Sequence, residues 1–164
     1  MEVAHATKIS TVARMKPSLP ETHLEAWRRL YVSFWRVCNV AEAELQAAGR
    51  PSLTWYDALY ELYRAPGRRL RMNELARQAL LSKSGLTRLV DRLEQEKLIE
   101  RRACPEDGRV QHIELTGRGV ETLREIWAVY RAGIARQFAA HLTEADARDL
   151  ARILTKVTAA KLSG

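Results

Sequence analysis

Apolar positions follow two rhythms along this chain. Over most of its length they recur every three or four residues, the period of an amphipathic helix; between about residues 98 and 116 the pattern turns strand-like. Leu24, Trp27, Leu30 or Tyr31, Phe34, Val37, Ala41 and Leu45 form one stripe and predict a helix over about 21–47, stopped by Gly49 and Pro51. A second helix is predicted from a capping box, Thr54-x-x-Asp57, to just before Pro66-Gly67. A short extended piece, Arg69–Arg71, leads into a third helix, MNELARQAL, and a tight LLS connection leads into a fourth. LIERRAC and VQHIELT then read as the strands of a β-hairpin, joined by the turn-rich PEDGR. Thr116 is placed to cap a long helix carrying Val120, Leu123, Trp127, Tyr130, Ile134 and Phe138. A capping box at Thr143-x-x-Asp146 opens the last helix, with Leu150, Ile153, Leu154 and Val157 on its apolar side. Residues 1–18 lack a sustained apolar period and read as a flexible, mildly basic arm, leaving 19–164 as a single domain with no internal repeat.

The fourth helix, SGLTRLVDRLEQ from Ser84 to Gln95, carries two unlike faces. At about 100° per residue, Leu86, Leu89, Val90 and Leu93 share one third of the circumference and predict a core stripe. Ser84, Thr87, Arg88, Asp91 and Gln95 share the other side, with Gly85 near the start and Ser82 suited to the N-cap. A plain solvated face would satisfy the pattern. A second reading is a surface made to be approached, because short side chains at a helix N-terminus, with its free N–H groups and partial positive charge, suit a phosphate.

The element order distinguishes these readings. Two short helices, a tight turn and a flanking hairpin make a winged helix-turn-helix, whose second helix enters the major groove of DNA. The fold class is therefore mainly α with a small β-hairpin wing, an α+β arrangement with the winged helix-turn-helix over about 53–115. In the groove a helix fits only where its side chains are compact, which gives Ser84, Gly85 and Thr87 a purpose and lets Arg88 reach a guanine edge.

Charge points the same way. The chain of 164 residues has a formal net charge of +7. Arg64, Arg68, Arg69, Arg71, Arg77, Lys83, Arg88 and Arg92 face only Glu74 and Asp91 in the same stretch, a possible phosphate footprint around the fourth helix. With 29% charged and 46% hydrophobic residues the composition predicts a soluble globular protein. No apolar run approaches a membrane span and no signal-peptide segment is visible, so no membrane partner is expected and the cytoplasm is the expected location. Cys38 and Cys104 stand far apart without a CxxC, in keeping with a reducing compartment.

MNELARQALLSKSGLTRLVDRLEQEKLIERRACPEDGRVQHIELTGRG resembles the DNA-binding core of the multiple antibiotic resistance regulator (MarR) family. ELA, LSKSGLTRLVDRLE, LIERR, the wing DGR, and LT followed by Gly carry the likeness, and the order of flanking helices extends it from about residue 21 to 161. The resemblance implies a homodimeric transcription regulator, usually a repressor, binding a pseudo-palindrome in double-stranded DNA. It implies dimerisation through helices 21–47, 116–141 and 144–161, and a recognition helix over 82–96. It implies DNA contacts from Ser82, Lys83, Ser84, Gly85, Thr87 and Arg88, and from a wing pair in which Asp107 holds Arg109 for the minor groove; Asp107-Gly108 is equally an ordinary hairpin turn. Arg71 stands where some members have Ser or Thr at the N-cap of the third helix, so a weaker cap is expected there. Many members bind small aromatic acids or phenols, which implies a possible effector. Trp27, Tyr31, Trp55, Tyr56 and the polar Asp57 are its candidate contacts, although aromatics at helical spacing are also ordinary core.

Other chemistry finds little support. His5, His23, His112 and His141 show no ligand spacing, so no metal or other cofactor is expected. Cys38, among apolar residues, reads as structural, and nothing around Cys104 lowers its pKa. GxSxG, GxxxxGK[ST], HExxH and GxGxxG are absent, which argues against an enzyme. A sequence-independent architectural DNA binder remains the rival, separated from a regulator by the ratio of specific to nonspecific affinity.

Overall fold

The first helix, α1 (Glu21–Ala47), ends where Gly49 adopts φ 63°. The Arg50 N–H then reaches the Leu45 carbonyl (2.8 Å) and the Gly49 N–H that of Gln46 (3.0 Å), a Schellman closure. This computed structural model describes residues 19–79, 83–103 and 111–159. The basic arm at 1–18, the LLS connection with Ser82, and the wing tip with Cys104, Asp107 and Arg109 lie outside the described residues, as do the side chains of Lys83 and Ser84. Two compact units are present, with the boundary inside α1 between Arg36 and Val37.

In the unit beginning at Val37, α2 (Leu53–Arg64) is followed by a turn in which Pro66 and Gly67 reverse the chain, Gly67 at φ 64°. Next come β1 (Arg69–Arg71), α3 (Met72–Gln78), α4 (Lys83–Gln95), β2 (Ile99–Ala103) and β3 (Gln111–Leu115). The long α5 (Gly117–Gln137) and α6 (Glu144–Ala159) complete it. The strands form an antiparallel sheet in the order β1-β3-β2, with Leu70 opposite Ile113 and Arg101 opposite Ile113 on its other side. The alternation of the hairpin sequences is what lets one face, Leu70, Ile113 and Leu115, join the core. Leu59 and Leu62 of α2, Leu75 of α3, Leu86, Val90 and Leu93 of α4, and Leu123 and Ile126 of α5 fill that core. The mainly helical winged helix-turn-helix expected from the sequence is thus the observed fold.

Two local details depart from the sequence reading. Thr54 and Asp57 do not form a capping box: Ser52 occupies the N-cap with no side-chain bond, and the Leu53 N–H donates instead to Glu42 Oε2 of α1 (2.9 Å). A carboxylate from a neighbouring helix has replaced the local cap. The long helix stops at Gln137 rather than 141, because Phe138 (φ −129°) leaves the helical region and Ala139–His141 tighten into a 3-10 turn. Arg71 does stand at the N-cap of α3, where it offers no acceptor. Glu74 compensates, its Oε2 accepting the Arg71 N–H (2.8 Å).

The caps predicted at Thr116 and Thr143 are present. The Thr116 hydroxyl accepts from the Gly119 N–H (3.0 Å). Thr143 and Asp146 satisfy each other's backbone N–H groups reciprocally (3.2 and 3.0 Å), and the Thr143 hydroxyl, donating to Asp146 Oδ2 (2.6 Å), and then the Thr143 N–H hold the Asp146 carboxyl below its ordinary 3.8.

Candidate nucleic-acid interface

The recognition helix α4 divides as its sequence requires. Leu86, Leu89, Val90 and Leu93 are buried, whereas Gly85, Thr87, Arg88, Asp91 and Arg92 are exposed. No ion pair engages Arg88 among the described residues, so its guanidinium is available to an outside partner.

The end of α4 is built with unusual care. Lys97 adopts the left-handed conformation at φ 61°, which favours glycine. The Leu98 N–H bonds the Leu93 carbonyl (2.9 Å) and the Lys97 N–H that of Glu94 (2.8 Å), closing a second Schellman motif. Leu98 is buried, and its carbonyl accepts the Thr116 N–H (3.1 Å), while the Thr116 hydroxyl donates to the Lys97 carbonyl (2.8 Å). Gly119 presses on the Leu98 carbonyl: a Cβ there would lie 2.1 Å from its oxygen. Glycine at 119 is needed for this close approach of α5 to the end of α4.

The wing is tied to α4 by one side chain. Arg101 of β2 donates from Nη1 to Glu94 Oε2 and from Nη2 to Asp91 Oδ1, and its backbone N–H bonds Glu94 Oε1 (3.3 Å). On the outer face of the sheet Arg102 pairs with Glu100 (2.9 Å) and Glu114 (3.2 Å). The sequence reading named Asp91 as a polar residue of the helix face, and named neither Arg101 nor Glu94. The signal was present, since Asp91 and Glu94 share a helix side, but only the strand register shows that Arg101 reaches them.

Of the candidate effector residues, Trp27 and Tyr31 belong to the first unit, where their rings lie 6.4 Å apart. Trp55, Tyr56 and Asp57 belong to the second. Trp55 packs on the core. Tyr56 stacks on Tyr60 (5.6 Å) and Trp127 (5.9 Å) and meets Tyr130 edge-on (5.3 Å). A cavity of about 350 Å³ opens beside it, lined by Tyr56, Tyr60 and Tyr63 of α2 and by Leu123, Arg124 and Trp127 of α5. Tyr60, Tyr63 and Arg124 were missed, although Tyr56, Tyr60 and Tyr63 recur at i, i+4 and i+7, a helical stripe.

Burial dominates the ionisation of this region. It pushes Tyr56 up to about 12, with Tyr60, Tyr130 and Asp57 adding to the effect. Burial, then Glu61 and Glu42, raises the Asp57 carboxyl above its ordinary 3.8. Burial, then Asp57 and Glu42, raises the Cys38 thiol as well, the opposite of the thiolate a redox sensor needs. Among the described residues there is no group of His, Cys, Asp and Glu arranged to hold a metal ion, and no helix long and apolar enough to cross a membrane.

A recognition helix, a preceding short helix and a wing sheet define a winged helix-turn-helix protein. The MarR family model matches residues 51–110. The transcriptional repressor IacR of Pseudomonas putida is 31% identical over 86 residues, 52% of this chain and 51% of IacR. The chain therefore spans about half the length of that curated relative. Two solved structures from Streptomyces coelicolor extend the likeness. AbsC, a MarR family transcriptional regulator, is 30% identical with a TM-score of 0.74, over 85% of this chain and 94% of AbsC. Sco3205, a MarR family regulator solved in complex with DNA, is 29% identical with a TM-score of 0.76, over 89% of this chain and 91% of its own. The chain belongs to the MarR family, whose members are transcription regulators and not enzymes.

Proposed function

We propose that this protein is a sequence-specific DNA-binding regulator that represses transcription as a homodimer on a pseudo-palindromic operator. The observation that carries the reading is the exposed face of α4, compact around Gly85 and Thr87, with Arg88 projecting from a helix whose other side is locked in the core. Sco3205, which shares this architecture, is known bound to DNA, and IacR is a repressor. The dimer is supported by apolar side chains left in solvent: Trp27 (61% exposed) and Phe34 (65%) on α1, and Val157 (63%) on α6. Two-fold symmetry would set the recognition helices about 34 Å apart, one turn of DNA. Lys83 at the helix start and Ser82 and Ser84 beside it fit phosphate contacts, and Asp107 and Arg109 a minor-groove wing contact.

A small aromatic or phenolic effector would release the operator. The supporting observation is the aromatic cavity between α2 and α5, where Arg124, in no ion pair among the described residues, can meet an acid or phenol oxygen.

Selection of bound fragments from random DNA tests the reading, followed by titration of the selected duplex and a scrambled one. A regulator binds its site at least about a thousandfold more tightly than the scrambled duplex; near-equal affinities would favour the architectural alternative. Arg88→Ala should relax preference at one base pair and cost about 1–3 kcal/mol. A uniform loss on all DNA would move Arg88 from base reading to backbone contact. Light scattering showing a monomer at micromolar concentration would remove the dimer.

A further inference from the structure

The groove-facing side of α4 carries an apparent contradiction. Asp91 lies one turn beyond Thr87 and Arg88 on the exposed side of the helix, and Glu94 follows one turn later on the wing-side flank. Carboxylates so placed would face the phosphates of any duplex docked on this helix, and like-charge juxtaposition at an interface weakens binding severely. Among the described residues neither acid is in an ion pair with a cation of its own helix; both are bound by one guanidinium from the wing, Arg101.

The position of Arg101 is specific. Its register partner is Ile113, so it shares the core-facing side of the sheet with Leu70 and Ile113, at the end of that row on the edge strand β2. An aliphatic residue there would extend the core. Instead the planar head of the arginine forks between two carboxylates, a geometry that lysine cannot reproduce. The side chain is 25% exposed, against 49% for Asp91, so the cation is better shielded from water than the acid it holds. The Arg101 N–H on Glu94 fixes the strand backbone to the helix as well.

We propose that Arg101 is a positioning residue for DNA binding: it quenches the Asp91 and Glu94 carboxylates and draws them toward the wing, so that the recognition helix presents no uncompensated negative charge to the groove. This rests on the DNA-binding reading above. Arg101 itself acts through the two acids and needs no contact with DNA. The role is Coulombic, so its loss is felt most where salt screens least; the screening length is about 10 Å at 0.1 M salt and shorter above it.

The test uses the full-length protein, a duplex recovered by selection with the wild type, and a scrambled duplex. Arg101→Gln should bind the selected duplex about tenfold more weakly at 0.1 M salt, with the gap to wild type narrowing as salt rises to about 0.3 M. Adding Asp91→Asn and Glu94→Gln to Arg101→Gln should restore most of the loss. Arg148→Gln on α6 makes the same change in net charge and should leave affinity within about twofold. Because Arg101→Gln can also loosen the wing, Asp91→Asn with Glu94→Gln is made in the presence of Arg101; it should bind at least as tightly as wild type. Weakened binding by that double variant would overturn the proposal, since an acid would then be contributing to recognition. So would a loss in Arg101→Gln that is independent of salt and not recovered in the triple variant. Absence of any preference by the wild type for the selected duplex would instead defeat the DNA-binding reading.

Discussion

Replacing Gly119 by alanine sets two effects of opposite sign against each other. Within a helix, alanine is favoured over glycine by about 1 kcal/mol. Against this, the new methyl carbon would lie 2.1 Å from the Leu98 oxygen and 2.6 Å from Leu115 Cδ1. The leucine methyl can rotate away, but the carbonyl accepts the Thr116 N–H and belongs to a residue whose own N–H is held by the Leu93 carbonyl. Relief requires α5 to back off by an ångström or so, which stretches the Thr116 N–H bond to Leu98 and the Thr116 hydroxyl bond to Lys97. Overpacking costs about 1–3 kcal/mol and two strained hydrogen bonds about 1 kcal/mol each. The net expectation is a loss of about 2–4 kcal/mol, which at about 2–4 °C per kcal/mol lowers Tm by roughly 5–15 °C. Thermal unfolding followed by circular dichroism at matched protein concentration measures it. Gly117→Ala is the control, because a Cβ at that position meets nothing within 4 Å, and its Tm should not fall. A Gly119→Ala protein as stable as wild type would refute the close approach of α5 to Leu98.

Lys97→Gly should raise stability by up to about 1 kcal/mol, since the position demands a left-handed backbone; a lower Tm would mean that the lysine side chain contributes more than its strain costs. Thr116→Val removes both the bond to the Gly119 N–H and the one to the Lys97 carbonyl and should cost about 1–2 kcal/mol in chemical denaturation. Asp57 ionises less readily in the fold than in the unfolded chain, so its contribution is most favourable at low pH and is lost as pH rises through the raised pKa. Asp57→Asn should therefore be more stable than wild type at pH 7, with the advantage fading as pH falls toward 3.8; a gap constant with pH would contradict the burial of that carboxyl.

Much of this architecture is written locally. The stripe of α4, the alternation of the hairpin and the caps at Thr116 and Thr143 depend on residues within a few positions of one another, so periodicity and capping chemistry reveal them. The features that escaped involve partners distant in sequence. Glu42 caps α2 from another helix, and no local pattern distinguishes that from the Thr54–Asp57 box. Gly119 looks like a poor helix residue until the Leu98 carbonyl is seen beside it. Arg101 reads as one more cation of a basic strand; the register alone makes it the partner of Asp91 and Glu94. The aromatic stripe of α2 was legible as a stripe, whereas the cavity exists only because α5 brings Arg124 and Trp127 against it.

The residue Leu98 gives the molecule a mechanical character. Its N–H completes the end of the recognition helix, its carbonyl anchors the first turn of α5, and the wing strand begins at the next residue. The recognition helix, the wing strand and the long helix thus share one fulcrum. A tilt of the long helix about its first turn would be passed at that point to the recognition helix and the wing together, as a lever turns the two prongs of a fork. Leverage also sets the scale: α5 has 21 residues, about 30 Å at 1.5 Å each, so a shift of 1 Å at its far end corresponds to a rotation of about 2° at the fulcrum.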